Sequence, residues 1–145
     1  MLYLGTDHRG FELKEQIKKF LQEQGIVFED LGNQQLEPED DYTDFGLAVA
    51  KKVAENPEEN RGILLCGSGI GMSIIANRIK GVRAGLSLSP WMAEHGRQNE
   101  DINVLVLASN ISDLKVSQDI IQTFLNTTFL SEEKYIRRKK ELDNF

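Results

Sequence analysis

Cys66-Gly67-Ser68-Gly69-Ile70-Gly71 is the segment of this chain best suited to chemistry. Three glycines in five residues let a backbone approach a ligand closely and take positive φ. The segment joins an apolar run, Gly62–Cys66, to a helical one, Met72–Ile79. Its amides, backed by a helix N-terminus, would form a cradle for an anion. The spacing is Gly-x-Gly-x-Gly after a third strand, so it is not the dinucleotide fingerprint; the plainer reading is a tight turn without a ligand. Helix N-termini favour the thiolate of a nearby cysteine, which makes Cys66 a candidate general base. The cradle would then hold the oxyanion formed when a proton leaves a carbon beside a carbonyl. The competing reading is an inert buried cysteine that ends a strand.

Asp7-His8 lies just after the first apolar run. Gly5-Thr6-Asp7-His8-Arg9-Gly10 has the glycine spacing of a phosphate loop but lacks the Gly-Lys-Ser/Thr ending, so a nucleoside triphosphatase is not supported. His8 could bind phosphate or carry a proton, or the pair could simply cap the next helix. Asp40-Asp41-Tyr42-Thr43-Asp44 gives a helix an acidic start, which suits its positive end; Tyr42 could also turn its hydroxyl toward a cleft. Lys134-Tyr135-Ile136-Arg137-Arg138-Lys139-Lys140 is the one basic cluster. It reads as a solvated helix face or as an anion clamp, with Lys134 and Arg138 on a shared face.

The elements that must carry these residues alternate. Strands are expected at Leu2–Gly5, Ile26–Leu31, Gly62–Cys66, Val82–Leu86 and Ile102–Ala108. Helices are expected at Phe11–Gln24, Tyr42–Glu55, Met72–Ile79, from Pro90 to Gln98, at Asp113–Leu125 and at Ser131–Asp143. Five such alternations predict one α/β domain over residues 1–145: a Rossmann-like, three-layer arrangement with a five-stranded parallel sheet and helices on both faces. Ligands in such sheets bind at the carboxyl ends of the strands, which puts the Asp7-His8 and Cys66–Gly71 loops at one edge.

Composition narrows the classes further. The 145 residues are 40% hydrophobic and 28% charged, as in an ordinary folded domain. Seventeen Lys and Arg against 23 Asp and Glu give a net charge of −6, which disfavours nucleic acid as a partner. No apolar run is long enough to span a membrane, and the N-terminus does not read as a signal peptide. One cysteine and two histidines, His8 and His95, exclude a disulfide framework and make a transition-metal site improbable. The expected setting is the cytoplasm, with no metal and no cofactor.

Taken together, several segments resemble ribose-5-phosphate isomerase B, a family grouped with the two-subunit galactose-6-phosphate isomerases. They are Asp7-His8, Asp41-Tyr42, Cys66-Gly-Ser-Gly-Ile-Gly71, Asn77…Gly81-Val-Arg-Ala84, Arg97-Gln98, Asn103-Val-Leu and the basic C-terminal helix. The resemblance covers nearly the whole chain. It implies metal-free interconversion of ribose 5-phosphate and ribulose 5-phosphate through an enediolate. By position, Cys66 would move the proton, with Ser68 assisting. The amides of Gly67, Gly69, Ile70 and Gly71 would stabilise the enediolate, and Asp7, His8 and Tyr42 would contact the sugar and its phosphate. The family forms homodimers or homotetramers with shared active sites, so the C-terminal helix with Lys134 and Arg137 or Arg138 would reach the phosphate on a neighbouring subunit. Phe124, Leu125, Phe129 and Leu130 could pack against that partner or inside the chain.

The chain departs from the family pattern at informative places. Asn99 stands where the family has its ring-opening histidine, Glu100 replaces a neutral amide, and Asn110 matches an arginine after the fifth strand. Glu132-Glu133-Lys134-Tyr135 replaces a Gly-Gly-Arg-His pattern. An amide cannot relay a proton at neutral pH. Three readings follow: the chain still isomerises ribose 5-phosphate and His95, four residues earlier, opens the ring; the substrate is a different sugar phosphate, such as a six-carbon aldose phosphate, or one whose open-chain form is abundant; or the chain is a weakly active or non-catalytic binding paralogue, or one partner of a heteromer, as in the galactose-6-phosphate pair. A receiver or a flavin-binding domain is the remaining α/β alternative, and the third strand's ending in Cys66 argues against a receiver.

Overall fold

In the computed structural model, which describes residues 1–145, five parallel strands form one sheet in the order β2-β1-β3-β5-β4. They are β1 (Leu2–Thr6), β2 (Phe28–Asp30), β3 (Arg61–Cys66), β4 (Ala84–Leu86) and β5 (Val104–Ala108). The helices are α1 (Phe11–Glu23), α2 (Tyr42–Ala54), α3 (Ile70–Ala76), α4 (Pro90–His95), α5 (Leu114–Asn126) and α6 (Glu133–Asp143). The expected fold class therefore holds.

Side-chain alternation along the central strands divides the core in two. Ile63 and Leu65 of β3 join Leu105 and Leu107 of β5 beneath α1, α4 and α5. Leu64, Cys66, Val104 and Val106 face the other way, beneath α2 and α3. Cys66 thus ends a strand with its sulfur on the α2–α3 face.

Both edge strands are shorter than expected, and the reason lies in where their amides go. Ile26 does not enter β2, because its amide closes the end of α1 by donating to Leu21 O at 2.9 Å. Val82 and Arg83 stay outside β4: the Val82 amide donates to Ile79 O at 3.0 Å and that of Arg83 to Asn103 Oδ1 at 2.8 Å. Two helices are also shifted. The expected Met72–Ile79 helix begins earlier, at Ile70, directly after Gly69 at φ 76°, and stops at Ala76. The α4 segment ends at His95, and Gly96–Glu100 follow as a wider π turn that swings Arg97 inward.

The last helix is seated on its own chain by charge. Lys139 reaches Asp101 at 2.6 Å, Arg83 reaches Asp143 at 2.7 Å, and Arg97 binds Asp101 at 2.6 Å. Burial alone would raise the Asp101 carboxyl, but the Lys139 hydrogen bond and the charges of Arg97 and Arg83 outweigh it and hold it below 3.8. Tyr135, Lys139 and Asp143 therefore form the inner face of α6, while Lys134, Arg137 and Arg138 are exposed. Phe124 is in the core and Leu125 packs against it, which settles these two as intramolecular.

Candidate active site

The carboxyl ends of β1 and β3 bring the two leading motifs together. Thr6 ties them by donating its hydroxyl to Leu65 O at 3.0 Å. A pocket of about 310 Å³ opens there, lined by Asp7, His8, Arg9, Asp40, Tyr42, Cys66, Gly67, Ser68 and Gly71. The structure therefore gathers Asp7, His8, Tyr42, Cys66, Gly67, Ser68 and Gly71 as the sequence suggested.

The Cys66 sulfur accepts a hydrogen bond from the Gly69 amide at 3.1 Å. The next amide, that of Ile70, donates to Ser68 Oγ at 3.2 Å. Two amides of the expected cradle are thus already engaged within the loop, and the Ile70 side chain points to solvent, 58% exposed. What Gly69 and Ile70 supply is the fixed shape of the turn and the donor to the thiol. Gly71 gives room for Tyr42: a Cβ there would lie 2.8 Å from the ring.

The opposite wall is a small polar network. Asp40 Oδ1 lies 2.7 Å from His8 Nδ1 and accepts the His8 amide at 3.1 Å. Asn33 donates to the other Asp40 oxygen. These bonds fix which face of the imidazole meets the pocket. Asp7 is buried and accepts the Arg9 amide at 3.0 Å; burial pushes its carboxyl above 3.8 against the pull of that amide and of His8. Ligand atoms of Asp7, His8 and Asp40 lie within 4.8 Å of one another, so these are the residues that could hold a cation. The His8 ring is already paired with Asp40, and Asp7 and Asp40 each accept a backbone amide.

Within one chain, Asn99, Lys134, Arg137 and Arg138 do not line this pocket. Asn99 sits on the π turn with its amide nitrogen 3.0 and 3.1 Å from the two ring nitrogens of His95. His95 in turn stacks on Trp91 with centroids 5.2 Å apart. His95 and Glu100 line a different, larger depression of about 660 Å³ beside β4, whose walls include Trp91, Ile102 and Leu142.

Sequence reasoning passed over Arg9, Asn33 and the role of Asp40. Arg9 had a signal: a cation directly after Asp7-His8 and before Gly10. Some resembling segments prove structural. Asn103 binds Gly81 O at 2.8 Å and accepts the Arg83 amide, and Arg97 is buried against Asp101.

The chain is similar to known proteins over nearly its whole length. The ribose/galactose isomerase family model matches residues 2–142. Ribose-5-phosphate isomerase B of Escherichia coli (strain K12) is 38% identical over 125 residues, 86% of this chain and 83% of that protein. The crystal structure of ribose-5-phosphate isomerase B from Mycoplasma genitalium with bound ribulose-5-phosphate has a TM-score of 0.95 at 34% identity, over 99% of this chain and 93% of that one. A 4-deoxy-4-sulfo-D-erythrose isomerase from Clostridium sp. (strain MSTE9) is 36% identical over 127 residues, 87% of this chain and 79% of that protein. With the family model matched from end to end and the same fold shared throughout, the chain belongs to the ribose/galactose isomerase family.

Proposed function

We propose that residues 1–145 form one sugar-phosphate isomerase domain that interconverts ribose 5-phosphate and ribulose 5-phosphate, with Cys66 as the general base. The observation that carries this reading is the Cys66 sulfur, held by the Gly69 amide at 3.1 Å at the wall of a polar pocket shared with Asp7, His8 and Ser68. The thiolate takes the proton from the carbon beside the aldehyde. The electrons of that C–H bond form the carbon–carbon double bond of the enediolate, and negative charge moves to the former carbonyl oxygen. Return of that proton to the former aldehyde carbon, with the hydroxyl proton on the second carbon passing to the first oxygen, gives the ketose, so no redox partner is needed. Ser68 and the loop amides left free face the developing oxyanion. His8, oriented by Asp40, and Tyr42 bind the sugar.

The working unit in this reading is a cytoplasmic homodimer or homotetramer whose sites are shared. Asn99 and the outward basic face of α6, with Lys134, Arg137 and Arg138, would serve a neighbour's pocket. That none of them lines the Cys66 pocket of its own chain supports this, as does the wide exposure of Trp91, at 66%, beside the larger depression. The test is ketose formation from ribose 5-phosphate by the wild type and by Cys66→Ala; persistence of turnover in the variant would remove Cys66 from the role of base.

One observation favours a second reading. Asn99 and His95 are the side chains available where a ring opener would act, and only His95 can carry a proton. An aldose whose fourth carbon bears the anionic group has no hydroxyl that can close a five-membered ring, so it needs no ring opener. The sulfo-erythrose isomerase among the relatives has such a substrate in its name. In this second reading the chain acts on an open-chain, four-carbon aldose with a terminal anion. Turnover of erythrose 4-phosphate far above that of ribose 5-phosphate would establish it.

A further inference from the structure

The Cys66 pocket contains one permanently positive side chain, and neither the motif pattern nor the proposed mechanism uses it. Arg9 follows His8 on the short turn His8–Gly10. Its backbone is pinned from both sides: its amide donates to Asp7 Oδ1 at 3.0 Å, and its carbonyl accepts the Ser109 hydroxyl at 3.0 Å. The side chain then lies across Gly67. A Cβ on that glycine would meet Arg9 Cδ at 2.8 Å, Asn110 Nδ2 at 3.0 Å and Arg9 Nη1 at 3.2 Å. Gly67 is itself fixed there, because the Asn110 amide donates to its carbonyl at 3.0 Å.

Two features mark the guanidinium as available rather than structural. It forms no ion pair with any carboxylate of the chain. The nearest acidic wall of the pocket is already committed, since Asp40 is held by His8 and Asn33, and Asp7 by backbone amides. The Asn110 side-chain amide sits beside the guanidinium and adds a neutral donor. A fork of N–H groups next to an amide donor, open to a pocket, matches a tetrahedral oxyanion.

We propose that Arg9, carried across Gly67 with Asn110 beside it, binds the terminal oxyanion of the sugar within the same chain as Cys66. The inference rests on the isomerase reading for its substrate, but its geometry stands without it. It also accounts for a chain that carries Asn110 after β5: the cation for that corner of the pocket comes from the β1 loop instead. The group recognised is a phosphate or a sulfonate monoanion or dianion at the end of a short sugar chain opposite the carbonyl.

The experiment uses the full-length protein and four forms: wild type, Arg9→Ala, Arg9→Lys, and Arg9→Ala combined with Asn110→Arg. Each is titrated with inorganic phosphate by calorimetry and assayed with ribose 5-phosphate and erythrose 4-phosphate. Arg9→Ala should weaken phosphate binding and raise KM by about 10- to 100-fold, with kcat within about threefold. Arg9→Lys should fall between the two, because a lysine cannot form the bidentate fork. The double variant should recover much of the loss, since an arginine at 110 places its charge beside the same glycine. Unchanged phosphate affinity and KM in Arg9→Ala would overturn the proposal, as would a double variant that regains nothing. A wild type that binds phosphate through Arg9 but isomerises neither sugar would defeat the isomerase reading and leave this one standing. A wild type that binds no phosphate and turns over neither sugar would defeat both.

Discussion

The Gly69 amide donates to the Cys66 sulfur across 3.1 Å from a glycine at φ 76°. That left-handed backbone is what turns the chain from the end of β3 into α3 while aiming an N–H back at the thiol. A side chain there is excluded twice, by conformation and by space, because a Cβ would lie 2.5 Å from Leu86 Cδ1. Gly69→Ala is therefore expected to cost about 1–3 kcal/mol of stability and to lower turnover as well. Chemical denaturation, with activity measured on the same samples, checks both.

Cys66→Ala removes the group proposed to move the proton and little else. Turnover should fall by about 10²- to 10⁴-fold. The fold should survive, because the lost sulfur is small and sits at the end of a strand. Exchange of the substrate's carbon-bound proton into heavy water, followed by NMR, should disappear with it. Exchange that continues at the wild-type rate would place the base elsewhere.

Gly71→Ala probes substrate contact rather than the thiol. Its Cβ would press on the Tyr42 ring at 2.8 Å, and Tyr42, at the first position of α2, is 39% exposed and free to swing away. The expected result is a KM raised by about tenfold with a melting temperature within a few degrees of wild type. Tyr42→Phe in the same background separates loss of the hydroxyl from displacement of the ring.

Acid should loosen the molecule through Asp101 and Asp30. Burial would raise both carboxyls, but their lysine partners and, for Asp101, the neighbouring arginines hold both below 3.8. A carboxyl lowered on folding contributes stability above its unfolded value and loses it as pH falls through the folded one. Asp7 is raised and works in the opposite direction, favouring the fold at low pH and losing that contribution as pH rises past 3.8. With two lowered against one raised, the melting temperature should decline below about pH 4. Asp101→Asn should be less stable at neutral pH and show a shallower acid decline; an equally steep one would mean that Asp101 is not a source of the acid sensitivity.

Asn99→His asks what the missing imidazole costs. If ribose 5-phosphate is the natural substrate, the variant should raise kcat/KM on that ring-forming sugar several-fold relative to erythrose 4-phosphate. An unchanged ratio between the two sugars would favour His95 as the opener or leave position 99 outside the reaction.

How far the sequence carries can be seen from individual residues. β3 and β5 are continuous apolar runs buried on both faces, and nothing competes for them. The edges are harder, because the amides of Ile26 and Arg83 go to a helix end and to an Asn103 side chain, neither of which appears in a hydrophobic pattern. Asp7, His8, Tyr42 and Cys66 could be grouped because parallel strands deliver their following loops to one edge. Arg9 could not be ranked, since nothing in its spacing shows that its side chain crosses Gly67. Lys14 is a comparable surprise: it occupies a fully buried turn of α1, with its ammonium on Asp30 at 2.7 Å and Asn33 O at 2.6 Å. Helical periodicity puts position 14 on the buried face with Ile17 and Leu21; it is the residue type that would leave a lysine in solvent.

The charges that seat α6, from Arg83 through Asp101 to Lys139, share no residue with the bonds that order the Cys66 pocket. Separated sets of this kind contribute nearly additively to stability. Mutational drift at the loops around the Cys66 pocket leaves the anchoring of the last helix untouched. A lineage built on this scaffold can therefore change what it accepts without first acquiring compensating mutations elsewhere, and the same separation makes the pocket a favourable place to begin directed evolution.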